Sequence, residues 1–440
     1  MGALPELNAI NEAAQWDYQR DRIYLRNNKH SMEKTLKNQV KKTAIKKVDK
    51  VDSHPVCQVC PKCHRKSNHE AGKESVLLQD LIFGRSSIKR RTVRHDFQKF
   101  WCPNCEKAFG VDPHFYSSQK FGWNFIALNY YLTVALGISQ QGVTRMFEEL
   151  FDMSISGVWM RKRVAAYYRE TQQRLLERIT TGHLVHVDET RARKNGVAGY
   201  VWVFTSLREV VYLHSESREA EFLVEVLKGF KGVLVSDFYA AYDSVDCPQQ
   251  KCLVHLMRDL NNDVLARPYD EEFKQLVHAF ASLLKPMIDT IDHYGLKRHF
   301  LNKHLKEVDR FYRHLATARY CSEPALAYKQ RFEKNHDKLF TFLKYDGVPW
   351  NNNNAEHAIK AYTKRFRAAA CGTATPKALS ENLILLSICE TCRYMEVDLL
   401  DFLCSGEKDI HAFAESRRGR RRRLSISIPK ASPADESAGK

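Results

Sequence analysis

Two short apolar runs in this chain stop at an acid. Leu184 to Val187 leads into Asp188, and Val233 to Ser236 leads into Asp237. In the first run Val185 and Val187 face one way while Leu184, His186 and Asp188 face the other, the alternation of a strand. Between them, Gly199 to Thr205 and Val210 to Leu213 read as a hairpin turning at Leu207 to Glu209, and Arg218 to Lys228 reads as a helix. A further strand is expected over Lys251 to Val254. Upstream, Ser75 to Ile82 and Arg90 to Phe100 have strand character, whereas Phe125 to Leu136, Ser139 to Leu150 and the segment opening at Ser154 have helical periodicity. Downstream come charged amphipathic helices such as Glu271 to Tyr294 and Leu301 to Tyr320. A helix over 351–367 follows, with Ala355, Ile359, Tyr362 and Phe366 as its apolar stripe, and then a last helix over Ala378 to Tyr394.

Three antiparallel strands, a helix and a strand returning beside the first predict an α/β fold with an RNase H-like core, a mixed sheet flanked by helices. The first strand and the one ending at Asp237 would be central neighbours in it. The expected organisation is a basic, largely flexible segment (1–53), a zinc-ribbon-like domain (54–115) and a helix-turn-helix-like DNA-binding domain (116–180). The first part of the core (181–257), a helical insertion (258–346), the second part of the core (347–405) and a basic disordered tail (406–440) complete the chain. Little fixed structure is expected before residue 54.

Charge narrows the class of partner. Of 440 residues 28% are charged, and the net charge of +17 favours a polyanion, nucleic acid before an anionic membrane surface. The bases are clustered: seven lysines lie between Lys34 and Lys50, and six arginines between Arg417 and Arg423. The longest apolar stretch, Phe125 to Ile138, is too short to span a bilayer and is interrupted by Asn129, and no apolar run of the kind a secretory leader carries follows Met1. A cytoplasmic, nucleoid-associated protein without a membrane partner is expected, in a compartment where the twelve cysteines stay reduced.

Cys60-Pro-Lys-Cys63 and Cys102-Pro-Asn-Cys105 are two tight knuckles of paired thiols, as a structural tetrahedral Zn2+ requires. Cys57, also three residues from Cys60, is the alternative to Cys63. Cys389 and Cys392 sit in an apolar helical stretch and read as core. Ser139 and Ser156 are candidate helix N-caps, and the basic helix after Ser156 carries Arg161, Lys162 and Arg163, which would face DNA if the pair of helices is a helix-turn-helix rather than a plain connector.

Asp188 and Asp237 on neighbouring strands would repel unless a cation lay between them. Glu356, in the first turn of its helix, is the natural third ligand, and Lys360, Lys364 and Arg367 share an adjacent face suited to a phosphate backbone. Three carboxylates suit Mg2+ or Mn2+, two ions of which can activate an attacking hydroxyl and stabilise a leaving oxygen. Cys252 and His255 provide only half a zinc shell, even with Cys247 nearby, and read as a buried structural pair. His186 reads as a packed histidine behind Asp188.

The segments His186-Val-Asp188-Glu-Thr190, Val235-Ser-Asp237-Phe-Tyr-Ala-Ala-Tyr242, Lys251-Cys252-Leu-Val-His255 and Asn351-Asn-Asn-Asn-Ala-Glu356-His-Ala-Ile-Lys360 resemble, in order and spacing, the DDE transposases of the insertion sequence sixty-six family. The resemblance runs through roughly residues 100–405 and implies that Asp188, Asp237 and Glu356 are the catalytic triad. It further implies a Cys-x-x-His element at Cys252 and His255, and zinc-binding and helix-turn-helix modules in the N-terminal part. The expected activity is metal-dependent cleavage of transposon-end DNA and strand transfer into target DNA, the alternative being a nuclease or resolvase that hydrolyses without joining. Expected partners are transposon-end and target DNA, further copies of the chain, and accessory proteins of the same element. The lysine-rich start, Ala368 to Gly372 and the arginine tail depart from the family pattern.

Overall fold

Alternating polar and apolar positions in two long segments make a hairpin that buries Val93 and Phe97 on one face and Leu81 and Phe100 on the other. The computed structural model describes residues 48–54, 58–84, 86–110, 121–153, 157–192, 199–367 and 375–417. They fall into two compact units, Met1–Gly122 and Trp123–Lys440.

In the first unit β1 (Lys50–Ser53), β2 (Glu70–Phe83), β3 (Ile88–Cys102) and β4 (Lys107–Gly110) form one sheet centred on β3. The strands β2 and β4 pair with it antiparallel, and β1 pairs with it in parallel. Order therefore begins before residue 54, contrary to expectation. Asp49 exchanges backbone and side-chain hydrogen bonds with Thr92, and the short strand that follows covers the free edge of β3. The expected strand limits 75–82 and 90–100 fall well inside β2 and β3.

The second unit opens with α1 (Trp123–Tyr130), continued by a π-helical turn over Tyr131–Ala135, then α2 (Gln140–Phe151) and α3 (Gly157–Thr180). Ser139 caps α2, accepting a hydrogen bond from the Gly142 amide at 3.1 Å. Ser156 lies outside the described residues, as does Cys57. From Trp123 on, the helices of the 116–180 segment belong to the same compact unit as the large sheet.

That sheet comprises β5 (Leu184–Arg191), β6 (Tyr200–Thr205), β7 (Val210–Ser215), β8 (Val233–Ser236) and β9 (Gln249–Lys251), in the order β7-β6-β5-β8-β9. The first three are antiparallel; β8 and β9 run parallel to β5. Helix α4 (Ala220–Val226) links β7 to β8. The chain enters β8 at Gly232, where a Cβ would lie 2.5 Å from the carbonyl carbon of His183, so only glycine lets β8 approach the start of β5 this closely.

Two boundaries differ from the sequence reading. The strand β5 does not end at Asp188; it continues to Arg191 because its antiparallel partner β6 extends beyond β8. The strand expected over Lys251 to Val254 is replaced by β9, and α5 (Leu253–Ala266) starts at once after Cys252, its first amide donating to the Trp350 carbonyl at 2.9 Å.

Next come α6 (Glu271–Tyr294), α7 (Leu305–Thr317) and α8 (Glu323–Lys334). Their Phe273, Phe280, Phe311 and Phe332 join Leu184, Val233 and Val235 in one apolar cluster, so the insertion shares the core of the sheet. The sheet is completed by α9 (Asn353–Arg367), α10 (Pro376–Tyr394) and α11 (Leu399–Ser405). Ser387 and Thr391 of α10 hydrogen-bond to the Tyr212 and Val210 amides at 3.0 Å each, closing the open edge of β7. Structure also reaches further than expected at the far end. Residues 410–417 are helical with Ile410 and Phe413 buried, so the tail 406–440 begins as part of the fold; residues beyond 417 lie outside the described set.

Candidate active site

The register of β5 and β8 pairs Leu184 with Val233, Val185 with Leu234 and His186 with Val235. Two positions further along, where the pairing has ended, Asp188 stands level with Asp237. Asp188 Oδ1 accepts from the Glu189 amide at 2.9 Å, and Asp237 Oδ1 accepts from the Tyr239 amide at 2.8 Å, which turns the chain away from the sheet. Burial, followed by the charges of Glu189, Asp237 and Glu356, pushes the Asp188 carboxyl up to about 7.

Glu356 is brought to this edge by the asparagine run at the start of α9. Asn351 Oδ1 accepts from the Asn353 amide at 3.1 Å. The buried Asn352 ties the helix to β5, donating through Nδ2 to the Val187 carbonyl at 2.9 Å and meeting His186 Nδ1 through Oδ1 at 3.1 Å. Its amide donates to Cys252 Sγ at 3.2 Å. Asn354 Nδ2 donates to the Ser206 carbonyl at 2.6 Å, anchoring the same turn to the end of β6. Since Asn352 Nδ2 faces a carbonyl, its oxygen faces His186, which assigns the imidazole proton to Nδ1. Burial holds His186 down to about 4 and keeps it neutral.

Glu356 Oε1 lies 3.7 Å from His255 Nδ1 and Oε2 3.8 Å from Lys360 Nζ. Among the described residues, neither Glu356 Oε1 nor His255 Nδ1 has a hydrogen-bond partner, although both atoms are buried. Donor atoms of Cys252, His255 and Glu356 lie within 4.8 Å of one another.

A second network beside Asp188 escaped the sequence reading. Glu189 turns to the other side of β5, where Arg218 Nε donates to Oε1 at 2.7 Å and the Tyr242 hydroxyl donates to Oε2. Arg218 lies over the Tyr239 ring, 3.7 Å from its centre. Burial raises the Glu189 carboxyl, and these partners oppose the rise. Lys251, buried at the end of β9, is satisfied by Asp243 at 3.0 Å and Ser236 Oγ at 3.3 Å. A lone glutamate and an arginine 29 residues apart carry no periodic signal; only the sheet brings them together.

The candidate DNA-gripping bases have different fates. Lys360 and Lys364 are exposed on α9, while the Arg367 side chain lies outside the described residues. On α3, Lys162 is exposed, Arg163 is partly buried, and Arg161 donates to the buried Glu381 of α10 at 2.9 Å. Arg161 therefore braces the helix against the core.

In the first unit the sulfurs of Cys60, Cys63, Cys102 and Cys105 lie within 4.8 Å of one another, with Phe100 and Phe109 packed beside them. Each knuckle ends in a left-handed residue, His64 (φ 56) and Glu106 (φ 49), a turn that returns the chain after each second thiol. The Arg65 backbone amide above all draws the Cys63 thiol down to about 6. Four sulfurs so close form a group that can hold Zn2+.

The family profile described as Transposase IS66 family matches residues 120–375. This chain belongs to that family. The match spans β5 to β9, the helical insertion and α9, and so encloses Asp188, Glu189, Asp237 and Glu356. Membership in this transposase family makes the chain an enzyme of a class that acts on DNA. No curated protein matches it. Among the described residues of this family member, no helix is long and apolar enough to cross a membrane.

Proposed function

We propose that this chain is a DNA transposase that cleaves transposon-end DNA and joins it to target DNA at a site made by Asp188, Asp237 and Glu356. The observation that carries the reading is the parallel β5–β8 register, which sets Asp188 level with Asp237 at a sheet edge within electrostatic reach of Glu356. The strand order β7-β6-β5-β8-β9, antiparallel then parallel, supports an RNase H-like core.

Divalent cations fit these residues. An acid raised to about 7 by burial and by three other carboxylates, beside a buried Glu356 oxygen that lacks a donor, marks an excess of negative charge. Hard oxygen donors suit Mg2+ or Mn2+. When bound, two such ions lower the pKa of the attacking water or 3′-hydroxyl and stabilise the leaving oxygen of an in-line displacement. The chain's own groups do the rest. Asp188 gives up its proton when the cation site fills. Asn352 and Asn354 fix the first turn of α9, so Glu356 enters the site from a rigid support. Arg218 and Tyr242 hold Glu189 away from the reacting groups. Lys360 and Lys364 face the backbone of the DNA, and Arg367 follows them in the sequence as a further candidate. The four thiols near Cys60 form a structural zinc ribbon, and α2 and α3 serve as a helix-turn-helix in which Lys162 and Arg163 meet DNA. Two-ended chemistry calls for several copies of the chain, helped by accessory proteins of the element.

The test uses the full chain with duplex DNA carrying the element's ends. Wild type in Mg2+ should nick the ends and join pre-cleaved ends to a target. Asp188→Asn, Asp237→Asn and Glu356→Gln should each lose roughly a thousandfold or more, the several kcal/mol that a lost metal ligand removes. Full activity in any of the three would overturn the triad, and cleavage without joining would make the protein a nuclease.

A further inference from the structure

Cys252 is the last residue before α5, and His255 is one turn further on, so the sulfur and the imidazole share the first turn of that helix. Glu356 comes from the first turn of α9, which the Leu253–Trp350 and Asn352–Cys252 hydrogen bonds lock against the start of α5. The result is a sulfur, an imidazole nitrogen and a carboxylate oxygen converging within 4.8 Å from two helix N-termini. Two of the three converging donors, His255 Nδ1 and Glu356 Oε1, are buried, face each other at 3.7 Å and make no hydrogen bond among the described residues, a need that a cation between them would meet. The sulfur is prepared in part. Burial holds the Cys252 thiol above its ordinary value, and the backbone amides of His255, Asn352 and Val254 that point at the sulfur offset only part of that rise, so a bound cation would complete the deprotonation.

We propose that Cys252, His255 and Glu356 bind a borderline-soft divalent cation of the Zn2+ class, at a site separate from the four-cysteine cluster. Thiolate with imidazole selects this class over Mg2+ or Ca2+, and three protein ligands leave one tetrahedral position for water or a substrate oxygen. On binding, the Cys252 thiol loses its proton to solvent and the sulfur bonds the metal, with no change of oxidation state. The site has a consequence that rests on the function proposed above. A Zn2+ ion here holds Glu356 against the start of α5 and withdraws it from the ions shared with Asp188 and Asp237, so Zn2+ antagonises the Mg2+-dependent reaction.

The test is zinc content per chain of the full-length protein, equilibrated with ZnCl2 and freed of unbound metal. Cys252→Ser and His255→Ala should each hold one zinc fewer than wild type, and the cobalt-loaded variants should show less thiolate-to-cobalt absorption. Cys102→Ser, which strikes the other cluster, should lose its own zinc and leave this one. If Cys252→Ser fails to fold, His255→Ala decides, since that side chain is partly exposed and fills no core position. Wild-type zinc content in a folded His255→Ala protein overturns the site. In a second arm, trace Zn2+ added over excess Mg2+ should slow end nicking by wild type roughly tenfold, and slow that of His255→Ala less. Loss of zinc without that difference overturns the antagonism alone. Loss of zinc in a protein that never nicks DNA overturns the transposase reading and leaves the metal site standing.

Discussion

Asp188 and Glu189 are consecutive carboxylates with opposite roles, because alternation along β5 sends one to the acidic edge and the other to Arg218. Among the described residues no base is paired with Asp188, and its raised carboxyl makes a testable demand. A carboxyl shifted up from 3.8 to about 7 binds its proton more tightly in the folded state, so its contribution is present below the unfolded value and is lost as pH rises through about 7. Metal-free wild type should therefore lose Tm between pH 4 and 7 relative to Asp188→Asn, and level off above that. Mg2+ should restore wild type by several degrees and leave the variant unmoved, as read by thermal melts with and without chelator. His186 has the reverse sign. Its value is depressed from 6.5 to about 4, so stability is present above the unfolded value and is lost as pH falls through that window, up to about 3 kcal/mol for the fully buried ring. His186→Gln should flatten the fall in Tm between pH 6.5 and 4; an unchanged slope would locate the acid sensitivity elsewhere. The acids and His186 were legible because strand alternation displays them, whereas Arg218 and Tyr242, which decide how Glu189 behaves, become its neighbours only after folding.

At the scale of elements, the placement of α9 rests on its asparagines more than on its apolar stripe. Ala355, Ala358 and Tyr362 bury one side of the helix, but small side chains bury little area and would tolerate sliding. Asn352 sets the position through two side-chain hydrogen bonds to β5. Asn352→Ala should cost about 3 kcal/mol, because it leaves the Val187 carbonyl and His186 Nδ1 buried without partners. End cleavage should fall by more than folded protein is lost, since Glu356 swings with the helix. Denaturant melts and single-turnover nicking measured on the same preparation separate the two effects, and parallel losses would mean that Asn352 matters only for stability. Helical periodicity located α9 and α10 well, and strand alternation located β5 and β8. It failed at Lys251 to Val254, where an apolar run too short to distinguish strand from helix is resolved by the Trp350 carbonyl receiving the first amide of α5. It failed also at β1, whose four residues are polar enough to read as linker and are ordered by the edge of β3.

For the molecule as a whole, the two units are held by different physics. The second is closed by a large core in which the insertion helices and the sheet share one cluster, so its stability comes from burying apolar surface. The first has a long hairpin and, at the knuckle end, a small cluster of Phe100 and Phe109 around four thiols. A core that small contributes little by itself, and a tetrahedral metal would supply the closure that burial does not. Removing zinc with a strong chelator should therefore act regionally. Amides over 58–70 and 99–110 should gain hydrogen exchange by orders of magnitude, while those of β5, β8 and α10 keep their protection. Cys60→Ser should reproduce the pattern without chelator. Exchange that stays slow around the knuckles after zinc is gone would show that the hairpin closes this end unaided, leaving the four thiols without a structural metal role.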